Sequence, residues 1–519
     1  MIRDPDFAQA SPQWVGDIAA RWARARGAET ALAQEGAVLA WAELEAARLE
    51  WCARLAALGV RAGDRVMVVG ENCPAMVMLV LAIASLRAWV VNVNARLSAR
   101  EVDGIHAHSS ARLTIFLPAG SPDAAAHAQR CGASVHDGGP WGAMALSNVV
   151  DSRPEAVAGD PVEDVAALLY TTGTTGEPKA VMLTHASLLF IARNSGDLRR
   201  IVPGDRVYGL LPVSHVYGLA SVTLGTLLAG GSIHLQPRFT AAATARFIRA
   251  ERLTVCQGVP AMYAKLVGYL RENGEASFHA PALRFLYAGG SPLVPALKRE
   301  VERFFGLRLH NGYGLTEASP TLTQTRHEAP RDDCSVGPAI PGVRLRIVDL
   351  EGRDLPDGEV GELWAHGPNV MKGYYRDAAA TAAVIKPGGW LATGDLARRE
   401  PDGAIHIEGR LKELIIRSGF NVFPVEVEAV LNAHPAVSQS AVVGRSRDGD
   451  EEVVAFVELV PGASASPTEL LEFAARALAP YKRPSEVLIL PALPAAPSGK
   501  VLKGKLARMA REAGSAPAD

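Results

Sequence analysis

Two glycines, four threonines and a lysine crowd into the ten residues Tyr170-Thr-Thr-Gly-Thr-Thr-Gly-Glu-Pro-Lys179, between the apolar runs Val165–Tyr170 and Val181–Leu183. Gly173 and Gly176 can adopt positive φ and turn successive N–H groups inward, which makes a concave nest for phosphate oxygens. Thr171, Thr172, Thr174 and Thr175 add hydroxyl donors, and Lys179 adds a compact positive charge. The chemistry is that of a triphosphate cradle. It is not a P-loop, which needs its lysine directly after a glycine at a helix start. Here Pro178 precedes Lys179 and drives Glu177 away from helical φ/ψ. The other reading, a Gly/Thr turn between strands with no ligand, leaves the ordered spacing without a reason.

A second group lies at Asn311-Gly-Tyr-Gly-Leu-Thr-Glu317. Tyr313 offers a flat face for adenine, and Gly312 and Gly314 let backbone approach it. Thr316 can donate to a phosphate, and Glu317 is a hard oxygen ligand suited to Mg²⁺, which takes only one or two protein carboxylates. Taken alone, this segment is also a tight turn carrying an exposed acid.

The stretch YTTGTTGEPKAVMLTH, Tyr170 to His185, resembles the phosphate-binding signature of the acyl-adenylating superfamily of acyl-CoA synthetases, peptide-synthetase adenylation domains and luciferases. Thr172 replaces the usual serine and keeps its hydroxyl; Ala180 replaces the usual glycine and adds one methyl. Further blocks follow in the family's order over nearly the whole chain. The resemblance implies that Asn311, Gly312, Tyr313, Gly314 and Thr316 contact the nucleotide beside the Mg²⁺ ligand Glu317. Asp395, in Gly389-Trp-Leu-Ala-Thr-Gly-Asp395, matches the ribose-binding position, and Ile407 and Arg410 complete the nucleotide site. Lys412 falls at the hinge. Ser418, Gly419 and Phe420 match the turn that lines the pantetheine tunnel. Lys500, in Pro497-Ser-Gly-Lys500, matches the catalytic lysine, although Leu493-Pro-Ala-Ala-Pro before it is plainer than the family pattern.

These groups suffice for the chemistry so implied. A carboxylate nucleophile is already ionised at pH 7 and needs no base. Lys179, the loop N–H groups and Mg²⁺ on Glu317 would absorb charge on the leaving pyrophosphate, and Lys500 would stabilise charge developing at the α-phosphate. The small domain would then turn about Lys412 and bring Gly419 in, and a thiol of pKa ~8.5 would attack the adenylate. The cofactors and co-substrates expected are ATP, Mg²⁺ and coenzyme A. The alternative is an adenylating enzyme that loads a carrier protein. An ATP switch or motor is disfavoured by the missing Walker loop, and a silent binding module by the full set Lys179, Glu317, Asp395, Arg410 and Lys500.

By the same resemblance the acyl pocket is edged by His215, Val216 and Tyr217, by Ala288, Gly289 and Gly290, and by Gly314, Leu315 and Ser319. By itself His215 is equally a satisfied core histidine. No lysine or arginine lies within these segments, and no aspartate near His215, so the pocket reads as neutral and mainly apolar. Medium-chain fatty acids and aryl or cyclic monocarboxylates both fit.

The elements that must hold these residues come from a chain of 519 residues, longer than one hydrophobic core serves. A net charge of −2 gives no basic field for nucleic acid or an anionic membrane. Five scattered cysteines without a C-x-x-C argue against disulfides and zinc and suit a cytoplasmic protein. The acidic N-terminus is no signal peptide, and the most apolar stretch, Ala75 to Ala84, is too short to span a bilayer. Oligomeric state is not readable; a homodimer is a family-level expectation.

Trp41–Leu58 has helical spacing, Asp64–Gly70 is strand-like, a buried helix covers Met76–Leu86, and Trp89–Val93 and Arg112–Leu117 are strands. Ser98-Ala-Arg-Glu101 is a capping box. Such alternation implies parallel sheet covered on both faces. Tyr208–Leu211, Val255 with Cys256, and Leu283–Tyr287 continue it, and from Val343 to Glu362 the pattern becomes short antiparallel strands. After ~410 a small α+β unit follows, with a strand at Val453–Val460, a capped helix from Ser466 through Leu478, a strand at Val487–Leu490 and a final helix at Lys503–Ala510. The expected fold is α/β. A large N-terminal domain, 1–409, holds doubly wound sheets and a small antiparallel barrel-like part. A small α+β C-terminal domain, 410–519, follows, and by the resemblance it is mobile.

Overall fold

A computed structural model describes residues 12–172, 178–418, 420–447, 450–460, 462–495 and 501–514. Arg65–Gly70 is buried along its whole length and pairs in parallel with Trp89–Asn94 and Leu113–Phe116, as expected of a strand apolar on both faces. Trp89–Asn94 pairs in parallel with Val165–Thr172, which turns back antiparallel into Pro178–Thr184. With Gly373–Tyr374 at one edge and Met144–Leu146 and Ser134–His136 at the other, these strands form an eight-stranded sheet. The strands that flank the stretch rich in glycine and threonine therefore pair as a hairpin, with Thr171 opposite Lys179.

A second eight-stranded sheet has the order Thr321–Gln324, Leu309–Gly314, Phe285–Ala288, Val255–Gly258, Arg206–Gly209, Ser232–Leu235, Thr30–Gln34, Ala37–Ala40. Its centre is parallel and both its ends are antiparallel hairpins. The helix Pro74–Ser85 touches strands of both sheets, so it has no solvent face and every residue from Ala75 to Ala84 is buried. No helix among the described residues is long and apolar enough to cross a membrane.

The antiparallel part is larger than the expected Val343–Glu362. Arg344–Val348, Gly361–His366, Ile385–Lys386, Trp390–Arg399 and Ile405–Arg410 make one five-stranded sheet, because the strands that complete it lie beyond an intervening helix, Ala378–Val384. Beyond Arg410, the hairpin Ile415–Arg417/Phe420–Val422 and the three-stranded sheet Val437–Arg447, Asp450–Leu459, Glu486–Leu490 pack against Pro424–Leu431, Pro467–Ala477 and Lys503–Gly514. Val422, Val427, Leu431, Val442, Val453 and Leu470 give this part a hydrophobic cluster of its own. Both sequence-predicted N-caps form: Ser98 accepts from the N–H of Glu101 and Glu101 returns a bond to Ser98, and Ser466 accepts from Glu469.

His185 begins the helix His185–Leu198 fully buried, where its Nδ1 accepts from the Val15 N–H at 3.3 Å. Burial lowers its pKa to about 4, and burial with the charges of His327 and Lys298 does the same to His310. An unfolded imidazole titrates near ~6.5, so these two neutral rings contribute stability above that pH and lose it as pH falls toward 4. Urea unfolding at pH 5 is expected to give a stability lower than at pH 7 by on the order of 2–4 kcal/mol. Equal stabilities at the two pH values would contradict the burial argument.

Candidate functional site

Lys179 sits at the start of Pro178–Thr184, where the hairpin fixes its backbone; Thr171 Oγ1 donates to its carbonyl at 3.4 Å. Its ammonium stands 4.7 Å from the centre of the Tyr374 ring. Tyr374 reaches there because the short strand Gly373–Tyr374 adds to the free edge of the hairpin, with Tyr374 opposite Val181. The Tyr374 hydroxyl in turn donates to Glu317 Oε1 at 2.7 Å. Burial and the Glu317 charge raise the Tyr374 pKa far above that of a free phenol, so it remains a donor. Lys179, Tyr374 and Glu317 thus form one linked set, although their sequence positions span about two hundred residues. Tyr374 was missed in the sequence, where Gly373-Tyr-Tyr375 carries no signal of its own.

The second set forms where Trp390–Arg399 pairs with Ile405–Arg410, which places Asp395 opposite Arg410. Arg410 Nε lies 3.1 Å from Asp395 Oδ1, and the Tyr313 hydroxyl donates to Asp395 Oδ2. The Asp395 side chain is 8% exposed, so this carboxylate is held in place between a phenol and a guanidinium. Ile407 and Tyr313 pack on one small cluster around Ile347 and Leu363.

Several neighbours differ from expectation. Asn311, expected at the nucleotide, is buried and donates its amide to the Cys334 and Ser335 carbonyls at 3.1 and 3.2 Å, so it ties down a loop. A Cβ on Gly312 would fall 2.0 Å from the Tyr287 hydroxyl and 2.7 Å from the Thr323 carbonyl, and one on Gly314 2.0 Å from the Pro320 carbonyl. These glycines are required by the protein's own backbone. Thr316 is buried at the turn Thr316–Ala318 that carries Glu317. Gly173, Thr174, Thr175, Gly176, Gly419 and Lys500, with the side chain of Thr172, lie outside the described residues.

Among the pocket residues, His215 is exposed, which removes the core-histidine reading; its Nδ1 accepts from the Tyr217 N–H at 3.2 Å. Tyr217 is buried beside Gly289, whose Cβ would come 3.5 Å from the ring, and Gly290 has φ +84°. Ala288 does not join them. Side chains alternate along Phe285–Ala288, so Ala288 packs on the opposite sheet face with Ile248 and Val301, and Tyr287 takes the face that carries Tyr217. Val216 likewise turns into the main core with Leu188 and Leu219. Ser319 is fully buried, and its hydroxyl is spent on the Asn369 carbonyl at 2.8 Å. Leu315 is half-buried and packs against the main core. Arg199, from the end of the helix His185–Leu198, is buried and lies over the Tyr287 ring at 4.5 Å.

Lys412 lies in the turn Leu411–Glu413. Ser418 binds Asp450 through its N–H and its hydroxyl, and exposed Phe420 stacks on Tyr481 with centroids 4.7 Å apart. Next to Lys412, Glu413 accepts Lys503 at 3.0 Å, and Lys503 also pairs with Glu428 at 2.7 Å. Burial opposes the charge on Lys503, but Glu428 and Glu413 outweigh it and raise its pKa. This pairing stabilises fully below the ordinary lysine pKa, ~10.4, and is lost only as pH rises through the raised value. Lys503→Met leaves two carboxylates facing each other and is expected to cost about 1–3 kcal/mol, since the site is partly open to water. Chemical denaturation checks this; an unchanged midpoint would contradict it.

Two sets of side chains result: a cation and a carboxylate beside the hairpin, and a carboxylate flanked by Tyr313 and Arg410. Tyr374 donates to one Glu317 oxygen, and a lone carboxylate of this kind fits Mg²⁺ carried mainly by phosphates and water. The one metal-like cluster among the described residues, Asp333, Glu400 and His406, lies elsewhere and is bridged by Arg331.

Residues 19–375 match the family model described as AMP-binding enzyme, and residues 426–500 match the AMP-binding enzyme C-terminal domain. The chain is 36% identical to feruloyl-CoA synthase of an Amycolatopsis species over 96% of this chain and 99% of that one. It is 34% identical to indoleacetate–CoA ligase of Aromatoleum aromaticum, over 90% and 92%. Among solved structures, ATP-bound MatB from Rhodopseudomonas palustris superposes with a TM-score of 0.84 at 30% identity, over 96% of this chain and 99% of that one.

Proposed function

The chain belongs to the AMP-binding enzyme family and is an ATP-dependent, AMP-forming acid–CoA ligase, and from that premise we propose that the acid it activates is a carboxylic acid built on an aryl ring. The observation that carries this reading is the wall formed by the Tyr217 ring and the side-chain-free backbone at Gly289 and Gly290. Flat faces favour a planar ring, which stacks at little entropic cost, over a flexible alkyl tail. The feruloyl and indoleacetate substrates named for two relatives are aromatic acids of this kind.

In this reading Lys179 and the hairpin loop hold the β- and γ-phosphates, with Thr316 donating beside them. Glu317, oriented by Tyr374, holds Mg²⁺, which when bound neutralises charge on the leaving pyrophosphate. Asp395, set by Arg410 and Tyr313, accepts from the ribose hydroxyls. Lys500 stabilises the α-phosphate as the carboxylate oxygen attacks in line and pyrophosphate leaves. The thiol sulfur of CoA then attacks the acyl carbonyl, and AMP departs with the oxygen the acid brought. We assign residues 1–409 to the adenylating domain and 410–519 to a domain that turns near Lys412 between the two steps, bringing Gly419 to the pantetheine tunnel. Pyrophosphate release should be measured with acetate, octanoate, palmitate, benzoate and cinnamate, with and without CoA. Aryl acids are expected to lead octanoate by at least about tenfold in kcat/KM, a difference of ~1.4 kcal/mol. Octanoate leading would overturn the aryl assignment.

A further inference from the structure

Behind the pocket wall lies a group of polar side chains that the fold itself leaves unsatisfied. Arg199 is 0% exposed, and no ion pair joins it to a carboxylate among the described residues. Its Nη1 donates to the Ser221 carbonyl at 3.0 Å and its guanidinium interacts with the Tyr287 side chain, while its Nε and Nη2 reach no acceptor with hydrogen-bond geometry. The Tyr217 hydroxyl, on a side chain 7% exposed, also lacks a partner. So do both amide atoms of Gln257, which is 0% exposed. Register brings the last of these alongside: Gln257 pairs directly with Tyr287, so both side chains leave the same face of the sheet. Tyr287 is the residue over which Arg199 lies and against which Tyr217 packs edge-on at 6.1 Å. Tyr217 and Ser221 belong to one turn of a π-helix, Tyr217–Leu224, a form uncommon in proteins and frequent at functional sites.

A buried guanidinium without a counter-charge is costly, and nearly all buried polar groups in proteins find partners. Here three donors of different origin are left over around Tyr287: a guanidinium, a phenol and an amide. Together they match an oxyanion, which only accepts. Resting on the ligase reading above, the geometry points to an acid substrate with a second carboxylate at its far end, received by Arg199, Tyr217 and Gln257. Arg199 is then a specificity residue, and the enzyme activates one end of an aryl diacid while the other end stays anionic.

The test is equilibrium binding of 4-carboxycinnamate, 4-hydroxycinnamate and cinnamate to the full chain with a non-hydrolysable ATP analogue, for wild type, R199M and Y217F. Pyrophosphate release is followed in parallel. A charged hydrogen-bond set lost on going to cinnamate is expected to weaken binding by about 10–100-fold in wild type. R199M should reduce that preference to within about threefold, and Y217F should lower it about 3–10-fold, as loss of one hydrogen bond does. Because the Tyr217 hydroxyl has no partner in the fold, Y217F removes nothing the folded chain uses, so its result does not depend on whether R199M folds. Equal affinity of wild type for 4-carboxycinnamate and cinnamate overturns the proposal, as does a preference that survives in R199M. An Arg199-dependent preference for 4-hydroxycinnamate over the diacid overturns the anionic assignment. The diacid preference without pyrophosphate release from any acid upholds the site and counts against the aryl-ligase reading alone.

Discussion

Lys500→Ala is expected to lower adenylate formation by about 10²–10³-fold, the usual loss when one donor aimed at a developing oxyanion is removed. Thioester formation from supplied acyl-AMP should stay within a few-fold of wild type. The asymmetry follows from the chemistry. Charge builds on the α-phosphate only while the carboxylate attacks, and in the proposed cycle the domain turn takes the lysine away before the second step. Gly419→Leu should give the converse: acid-dependent ATP–pyrophosphate exchange persists and CoA transfer is lost, because with Gly419 assigned to the pantetheine tunnel a branched side chain would obstruct the thiol. Separate assays of the two half-reactions check both. A Lys500→Ala enzyme that loses both steps equally would contradict the assignment of that lysine to the first.

Asp395→Ala is the second large effect. The carboxylate is held by Arg410 at 3.1 Å and by the Tyr313 hydroxyl, so its two oxygens are positioned before any ribose arrives. Each hydrogen bond to a charged group contributes about 1.5–3 kcal/mol, so losing both contacts to ribose should lower kcat/KM for ATP by about 10²-fold or more. KM for the acid should change little, because the role proposed for Asp395 is toward the ribose and not the acid. Arg410, 40% exposed, can turn to solvent, so the folding cost should be small. Kinetics with ATP and acid varied independently separates these effects. A rise in acid KM equal to that for ATP would contradict the role.

What could be read in the sequence is what is local. The box Ser98-Ala-Arg-Glu101 forms because all its bonds close within one turn. The strand at Arg65–Gly70 and the helix at Pro74–Ser85 are written in uninterrupted apolar runs. The hairpin bearing Lys179 follows from two apolar runs around a glycine-rich stretch. Other features depend on distant pairing. Thr30–Gln34 joins the second sheet only because Ser232–Leu235 lies beside it, two hundred residues away in sequence. Tyr374 reaches Glu317 because Gly373–Tyr374 happens to complete the hairpin's edge. Whether Tyr287 or Ala288 faces the pocket depends on the register of the strand, which composition does not specify, and the motif pointed to Ala288. Arg199 escaped notice because it lies outside every motif; the packing of His185–Leu198 on the π-helical turn brings it to Tyr287.

An acyl-adenylate route makes one of the acid's own oxygens part of AMP. The most direct measurement supplies an aryl acid labelled with ¹⁸O in its carboxylate, together with ATP and CoA, and weighs the products by mass spectrometry. One ¹⁸O in AMP, none in pyrophosphate and one in the acyl-CoA carbonyl is the predicted result. AMP free of label, or label in orthophosphate released with ADP, would contradict an acyl-adenylate at this site.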